Sequence, residues 1–255
     1  MAVDVGNTQT VLGLFDGEEV RGQWRIATEM HKTADELAVF FAGLLALEDH
    51  LSLDEIDAVI VSSVVPALTR SYRNLASEVF GVPFYGVTAR IKTGLDNRYD
   101  DPEAVGADRI VNAVAVGRHY GFPAIIVDIG TATTVEAVNG AACYLGGAIL
   151  TGLYVSLEAL VSRTAKLPSV DLEEEAPRVI ATNTPDSIRS GFIYGYAGAI
   201  DALIRRSRDE LGEDGVKVVA TGGPAGVIVP YCREIQQFDP DLTLKGLLAL
   251  YEMNA

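Results

Sequence analysis

The chain runs to 255 residues, 49% hydrophobic and 22% charged, with a formal net charge of −15 and a pI near 4.5. Such acidity speaks against a nucleic-acid partner, yet leaves room for a nucleotide held by local amides, hydroxyls, one arginine and a metal ion. No apolar run reaches membrane-spanning length, no basic-then-apolar leader is present, and Cys143 and Cys232 lack metal-like spacing, so a cytoplasmic protein with two buried free thiols is expected.

Val3 to Arg25 alternates in period two and is broken at Phe15-Asp16-Gly17-Glu18, which predicts three antiparallel strands joined by tight turns. Thr33-Ala34-Asp35-Glu36 is a capping box, and Leu37, Phe40, Phe41, Leu44 and Leu45 give the helix behind it an apolar face. Ile56 to Val65 is a β-branched run suited to a buried strand, and Pro66 opens a helix to about Phe80. Val82 to Val87 predicts another strand. Gly94 to Val105 is polar and irregular, and a helix follows from about Ala107 to His119. A strand over Ala124 to Asp128 opens the second half. Ser169 to Pro185 predicts a long mobile loop, Ser187 to about Asp209 a helix, Val216 to Thr221 a strand, and Leu242 to Met253 a closing amphipathic helix.

One phrase occurs twice. Asp4-Val5-Gly6-Asn7-Thr8-Gln9-Thr10-Val11 reappears as Asp128-Ile129-Gly130-Thr131-Ala132-Thr133-Thr134-Val135, 124 residues later (position 4 to position 128). Each copy is an apolar run, an acid and a glycine at a turn, hydroxyl residues, then a second apolar run. That predicts a hairpin whose tip offers N–H and O–H groups to an anion, and two such tips could grip a triphosphate from both sides. Hairpins that open each half and then alternate with helices predict two similar α/β lobes with a cleft between them.

No Walker-type glycine-lysine loop and no strand-borne G-x-G-x-x-G is present. The phosphate-binding candidates are therefore the two tips and the Thr221-Gly222-Gly223 turn. Gly6 serves either as close approach of backbone to phosphate or as an ordinary turn glycine, and Asp4, Asn7, Thr8 and Thr10 around it favour the first. In Gly106-Ala107-Asp108-Arg109, the acid and arginine at a helix start read either as a helix-dipole contact with a surface ion pair, or as a general base beside an anion-holding fork.

Taken together these residues resemble the type III pantothenate kinases, of the acetate and sugar kinase/Hsc70/actin superfamily. The resemblance runs nearly end to end. It rests on Asp4 to Thr8, Trp24-Arg25-Ile26, Thr33 to Glu36, Ser62-Ser63-Val64-Val65-Pro66, Gly106 to Arg109 and Asp128 to Thr134. Gly146-Gly147-Ala148-Ile149, Ala165-Lys166-Leu167-Pro168, Asn183-Thr184, Ser187-Ile188, Ser190-Gly191 and Thr221-Gly222-Gly223 complete the series. It implies two ribonuclease H-like (actin-like ATPase) lobes with a central cleft, taken on chain order as residues 1–120 and 121–255. It also implies ATP-dependent phosphorylation of pantothenate, the first step toward coenzyme A, with Mg2+ and a monovalent cation (K+ or NH4+).

By the same resemblance Asp4, Val5, Gly6, Asn7, Thr8, Gln9, Thr10 and Val11 form the first phosphate-binding hairpin, and Thr131 is a further nucleotide contact. Asp108 is the proton acceptor, ionised as any ordinary carboxylate is at neutral pH. Gly106, Ala107, Asp108 and Arg109 contact pantothenate. Tyr99 closes over the substrate, Asp128 binds the monovalent cation, and Thr184 contacts pantothenate across a homodimer interface. Gly191, Gly195 and Gly198 share a helix face, either packing inside the monomer or, as the family's dimer implies, admitting a second copy.

Two departures stand out. The chain starts close to Asp4, so a short first strand is expected to fray and weaken its hairpin. Thr151 stands where the family has proline, so a loosened turn is expected there. His31, His50 and His119 suit surface or capping roles, while Met30, Tyr194, Tyr196 and Tyr231 suit packing. A catalytically silent regulatory protein of this fold, or a superfamily phosphotransferase with another acceptor, are the alternatives. Retained Asp4, Asp108, Arg109 and Asp128 speak against the first, and Tyr99 to Arg109 bears on the second.

Overall fold

A computed structural model describes residues 1–48, 51–88 and 90–255. His50 lies outside the described residues. The chain divides into two units, one of residues 1–94, 100–115 and 243–255, the other of 95–99 and 116–242.

The first unit is built on strands β1 (Ala2–Val5), β2 (Gln9–Asp16), β3 (Glu19–Ala27), β4 (Val59–Ser63) and β5 (Phe84–Gly86), in the sheet order β3-β2-β1-β4-β5. β2 runs antiparallel to β1 and β3; β4 runs parallel to β1. Helix α1 (Ala34–Leu45) starts at Thr33, where hydroxyl and N–H exchange bonds with Glu36 as the capping box requires. Helix α2 (Pro66–Asn74) passes into a π-helical turn, Leu75–Phe80, so the helical segment ends where Pro66 and the pattern behind it predict. Both helices cover one sheet face, burying Val3, Val5, Leu12 and Leu14 against Leu37, Phe41, Leu68 and Tyr72.

Two expectations need correction here. The first strand, expected to fray, is held along its whole length. It is short, but it is paired on both sides over all four residues, and Val3 and Val5 are fully buried, so it is the centre of its sheet. The closing helix was grouped with the second half by chain order, yet it packs in the first unit. There Leu244 covers Gly13, Val111 lies against Gly246, and Tyr251 meets Tyr85 edge-on at 5.4 Å. Amphipathicity marks a face to be buried but not the partner that buries it.

In the second unit β6 (Asp96–Asn97) is a two-residue strand inside the segment expected to be irregular. Helix α3 (Ala107–His119) follows, its residues divided by the unit boundary. Strands β7 (Ala124–Ile129), β8 (Ala132–Val138), β9 (Cys143–Thr151), β10 (Lys217–Thr221) and β11 (Gln237–Phe238) complete the sheet, ordered β11-β10-β7-β8-β9-β6. Without β6, the order β9-β8-β7-β10-β11 repeats that of the first unit, with the same parallel and antiparallel senses. Helices α4 (Leu153–Ser162), α5 (Thr184–Leu211) and the short α6 (Ala225–Ile228) bury Ile125, Val127, Ile129 and Val135 on one face. Helix α7 (Leu242–Asn254) closes the chain.

The duplication is therefore real in topology, with its register shifted by one residue. Val5 pairs with Thr10, but Ile129 pairs with Thr133, so the first tip has one residue more than the second. Thr10 corresponds to Thr133, not Thr134, and both are buried. Both cysteines are free and half-buried, and burial pushes the Cys232 thiol up to about 12. His31 and His119 are exposed, and so is Met30, which does not pack as expected.

Strand β8 crosses β9 closely at Gly147, where a β-carbon would run into the Val135 carbonyl and stand 2.8 Å from the Glu136 Cα. Gly147→Ala should therefore destabilise the protein by about 2 kcal/mol or more, read as a lowered urea midpoint. An unchanged midpoint would mean the two strands move apart freely.

Candidate functional site

The first tip reverses over Gly6 to Gln9. Gly6 N–H donates to the Gln9 carbonyl at 3.0 Å, and a β-carbon on Gly6 would sit 2.9 Å from that oxygen, so the turn requires glycine. Asn7, Thr8 and Gln9 are exposed, while Thr10 is buried. Thr28, just beyond β3, holds the tip at three points. Its N–H donates to Thr8 O (2.9 Å) and its hydroxyl to Gly6 O (2.8 Å). The Thr10 hydroxyl, 2.9 Å away, then donates to the Thr28 hydroxyl. Asp4 lies on the face opposite Val3 and Val5, directly beside Ser62 of β4. The Ser62 hydroxyl is fully buried and has no hydrogen-bond partner among the described residues. An unsatisfied buried hydroxyl costs about 1–3 kcal/mol.

The second tip uses the same plan with different anchors. Gly130 N–H donates to Ala132 O at 3.0 Å, and Gly152 N–H to Thr131 O at 3.0 Å. Gly152 lies so close to the Gly130 and Thr131 carbonyls that no side chain fits, and Gly222 lies equally close to the Ile129 carbonyl. A β-carbon on Gly222 would also come within 2.8 Å of Asp128 Oδ1, and its φ of +101° favours glycine besides. Asp128 pairs with Thr221 of β10, as Asp4 pairs with Ser62. Here the anchoring hydroxyl is Tyr196 of α5. It donates to Thr151 O at 2.8 Å and accepts from the buried Thr133 hydroxyl at 2.7 Å. Tyr196 therefore does more than pack. The expected loosening at Thr151 is absent too, because β9 stays paired through Thr151 to Ala132 and Tyr196 holds its carbonyl.

Gly106 to Arg109 form the start of α3 in the first unit. Asp108 Oδ1 accepts the Arg109 N–H at 2.9 Å and occupies the space a Gly106 side chain would need. Arg109 is buried. The first unit thus carries Asp4 to Val11 together with Gly106, Ala107, Asp108 and Arg109. The second carries Tyr99, Asp128, Thr131 and Thr184. Within it, Asp128 lies on the sheet face opposite Val127 and Ile129, whereas Thr184 opens α5, whose apolar side covers the Val127 face. The structure does not bring Thr184 to Asp128 within one chain. Thr184 instead lines a groove of about 470 Å3 with Leu160, Phe192, Gly191 and Gly195. Gly191, Gly195 and Gly198 are all exposed, and a β-carbon at any of them meets nothing within 4 Å, so packing inside the monomer does not explain them.

Among the described residues no three His, Cys, Asp or Glu side chains cluster as a metal site. The donors around Asp128 and Asp4 are single carboxylates among carbonyls and hydroxyls, an all-oxygen set suited to hard cations. Thr28, Tyr196 and the empty-handed Ser62 hydroxyl are the functional-site residues that pattern reading does not isolate. Their only signal is position: a threonine just past β3, and a tyrosine on a glycine-rich helix face.

A family model described as type III pantothenate kinase matches residues 1–206. A type III pantothenate kinase of Rubrobacter xylanophilus is 65% identical over 259 residues, covering 100% of this chain and 98% of the relative. Among solved structures, a conserved member of the Baf transcriptional-activator family from Campylobacter jejuni superposes with a TM-score of 0.61. It is 17% identical and covers 98% of this chain and 96% of that one. A Sinorhizobium meliloti protein named for 2-dehydro-3-deoxygalactonokinase gives 0.56 at 12% identity, covering 98% and 95%. At those identities the two structures speak for the fold, which is the mixed α/β fold of actin-like ATPases and sugar kinases.

Removing either anchoring hydroxyl should loosen its tip. Thr28→Val and Tyr196→Phe should each lower unfolding free energy by about 1–3 kcal/mol in chemical denaturation. A loss under about 0.5 kcal/mol for both would show that the tips stand without these bonds.

Proposed function

The chain belongs to the type III pantothenate kinase family, and from that premise we propose how its own residues carry the ATP-dependent phosphorylation of pantothenate on the way to coenzyme A. Identity of 65% over the whole chain is the observation that supports this reading most.

Phosphoryl transfer asks a protein for alignment and charge neutralisation more than for covalent help. Asp4 to Val11 hold the polyphosphate of ATP through the exposed side chains and amides of the Gly6–Gln9 turn, and Thr131 contacts the nucleotide from the other tip. A divalent cation on the phosphates, and potassium or ammonium nearby, supply neutralisation of developing charge when bound; Asp4 is the residue to hold the first and Asp128 the second. Asp128 suits a single positive charge because it is one carboxylate beside the Thr221 strand end and the backbone-only Gly222.

Asp108 accepts the proton of the pantothenate primary hydroxyl. Its Oδ1 is already aimed by the Arg109 N–H, so the carboxylate needs no reorganisation when the acceptor arrives. Arg109 holds the pantothenate carboxylate in a fork, and its burial strengthens that pairing. Tyr99 packs over the acceptor. Thr184 reaches it from a second copy of the chain, whose α5 lies along the exposed Gly191, Gly195 and Gly198 face.

Two measurements test this. In a coupled ADP-release assay with pantothenate, run with and without potassium, Asp108→Asn should cut turnover roughly a hundred- to ten-thousandfold. Wild-type turnover in that variant would reject its role as base. Gly195→Leu has open space within one chain, so it should fold normally yet sediment as a monomer at micromolar concentration where the parent is a dimer. A dimer that survives this change would remove the glycine face from the interface and Thr184 from its role in trans.

A further inference from the structure

Glu136 is a buried carboxylate, 1% exposed, for which the scheme above has no use. Taking a carboxylate out of water costs several kcal/mol unless it is well paired. One of its partners is the hydroxyl of Tyr144, itself 0% exposed, which donates to Glu136 Oε2 at 2.5 Å. A hydrogen bond to a charged acceptor is strong and directional, so it fixes the Tyr144 ring in one orientation. Glu136 also stands two residues along β8 from Thr134, the pairing partner of Asp128, and so shares the Asp128 face of the sheet.

The Tyr144 ring in turn borders Tyr99. Their centroids are 6.5 Å apart at an interplanar angle of 48°. On the adjacent side the Tyr99 ring lies on the backbone of Gly146, where a β-carbon would come within 3.0 Å of it and where φ is +104°. The segment that carries Tyr99 includes the shortest kind of strand. β6 is two residues long, tied to β9 through Asp96 N–H to Ala142 O (3.0 Å) and Arg98 N–H to Tyr144 O (2.9 Å). Tyr99 N–H also donates to Asn97 Oδ1 at 3.0 Å, so the backbone is placed by local bonds while the ring takes its place against its neighbours.

We infer that the Glu136–Tyr144 pair is a positioning device for Tyr99, the fixed wall that sets where that ring stands over the phosphoryl acceptor. The inference rests on the reading of Tyr99 as an acceptor contact. A pair that served stability alone would be replaced without loss by two apolar side chains of similar shape. A pair that places Tyr99 acts on the acceptor and leaves the nucleotide untouched.

The test is steady-state kinetics with both substrates varied, alongside melting temperatures. Tyr144→Phe, which removes one hydroxyl, should raise the KM for pantothenate roughly tenfold, the worth of one charge-assisted hydrogen bond. The KM for ATP should stay within about twofold. Glu136→Leu should do the same, and Glu136→Gln, still an acceptor for the Tyr144 hydroxyl, should restore most of the pantothenate affinity. Equal shifts in both KM values, or a folded Tyr144→Phe enzyme with an unchanged pantothenate KM, would overturn the inference. A loss in Glu136→Gln as large as in Glu136→Leu would overturn it too. Tyr99→Ala separates the inference from its premise: a raised pantothenate KM there with none in Tyr144→Phe removes the positioning role alone. An unchanged one in Tyr99→Ala removes Tyr99 as an acceptor contact and the inference with it.

Discussion

A carboxylate can be presented at the end of a buried strand only if that strand is held on both sides and the turn beyond it is held without side-chain bulk. Both halves of this chain meet the requirement in the same way. Asp4 and Asp128 are the penultimate residues of central strands whose neighbours are an antiparallel hairpin partner and a parallel strand. Glycine follows each acid after one apolar residue, and a buried threonine is the second residue of the return strand. The acids are therefore placed by the sheet and not by their own flexible stems, which is what a group that must meet a charge at a set distance needs.

The two copies differ where their proposed tasks differ. The first tip is one residue longer, exposes Asn7, Thr8 and Gln9, and is tied by Thr28 from the strand next door. That leaves three polar residues facing solvent at the tip, as the proposed polyphosphate binding asks. The second tip is shorter and is pressed by Gly152 and Gly222 on backbone carbonyls, with Tyr196 reaching in from α5. Carbonyl oxygens close to Asp128 make that tip an acceptor-rich place, better suited to a cation than to phosphate. One hairpin plan, used twice, thus differs by a single residue of loop length and a change of anchor.

How much of this was legible in the sequence varies with the kind of force involved. Local chemistry read through directly: the Thr33–Glu36 capping box, the Pro66 helix start and the paired acid-glycine turns all depend on residues within a few positions of one another. The repeat was visible, but its register was not, because threonines at 131, 133 and 134 let an ungapped match slide past the missing loop residue. The shortness of the Asp4 strand suggested fraying, yet its neighbours are residues 9–16 and 59–63, and only the fold brings the second of these alongside. Tyr196 read as packing because a tyrosine on a helix is usually that, and its two hydrogen-bond partners lie 45 and 63 residues away. Glu136 left no local sign that it would be buried beside Tyr144. The roles of Asp108, Tyr99 and Thr184 came from resemblance, since an acid, a ring and a hydroxyl in isolation have many ordinary uses.

The net charge of −15 bears on how anions are held at all. Charges spread over the surface are screened within about 10 Å at ordinary ionic strength, so they repel a nucleotide weakly at range and hardly within a pocket. What decides binding is then the short-range inventory. On the proposed reading, turn amides, threonine hydroxyls and the buried Arg109 guanidinium act at hydrogen-bond distance, where local dielectric is low and each donor counts for more. The same logic bears on the cation proposed at Asp128. On the proposed reading, a cation held by Asp128 supplies positive charge without calling on a lysine side chain, in a chain where acids outnumber basic residues.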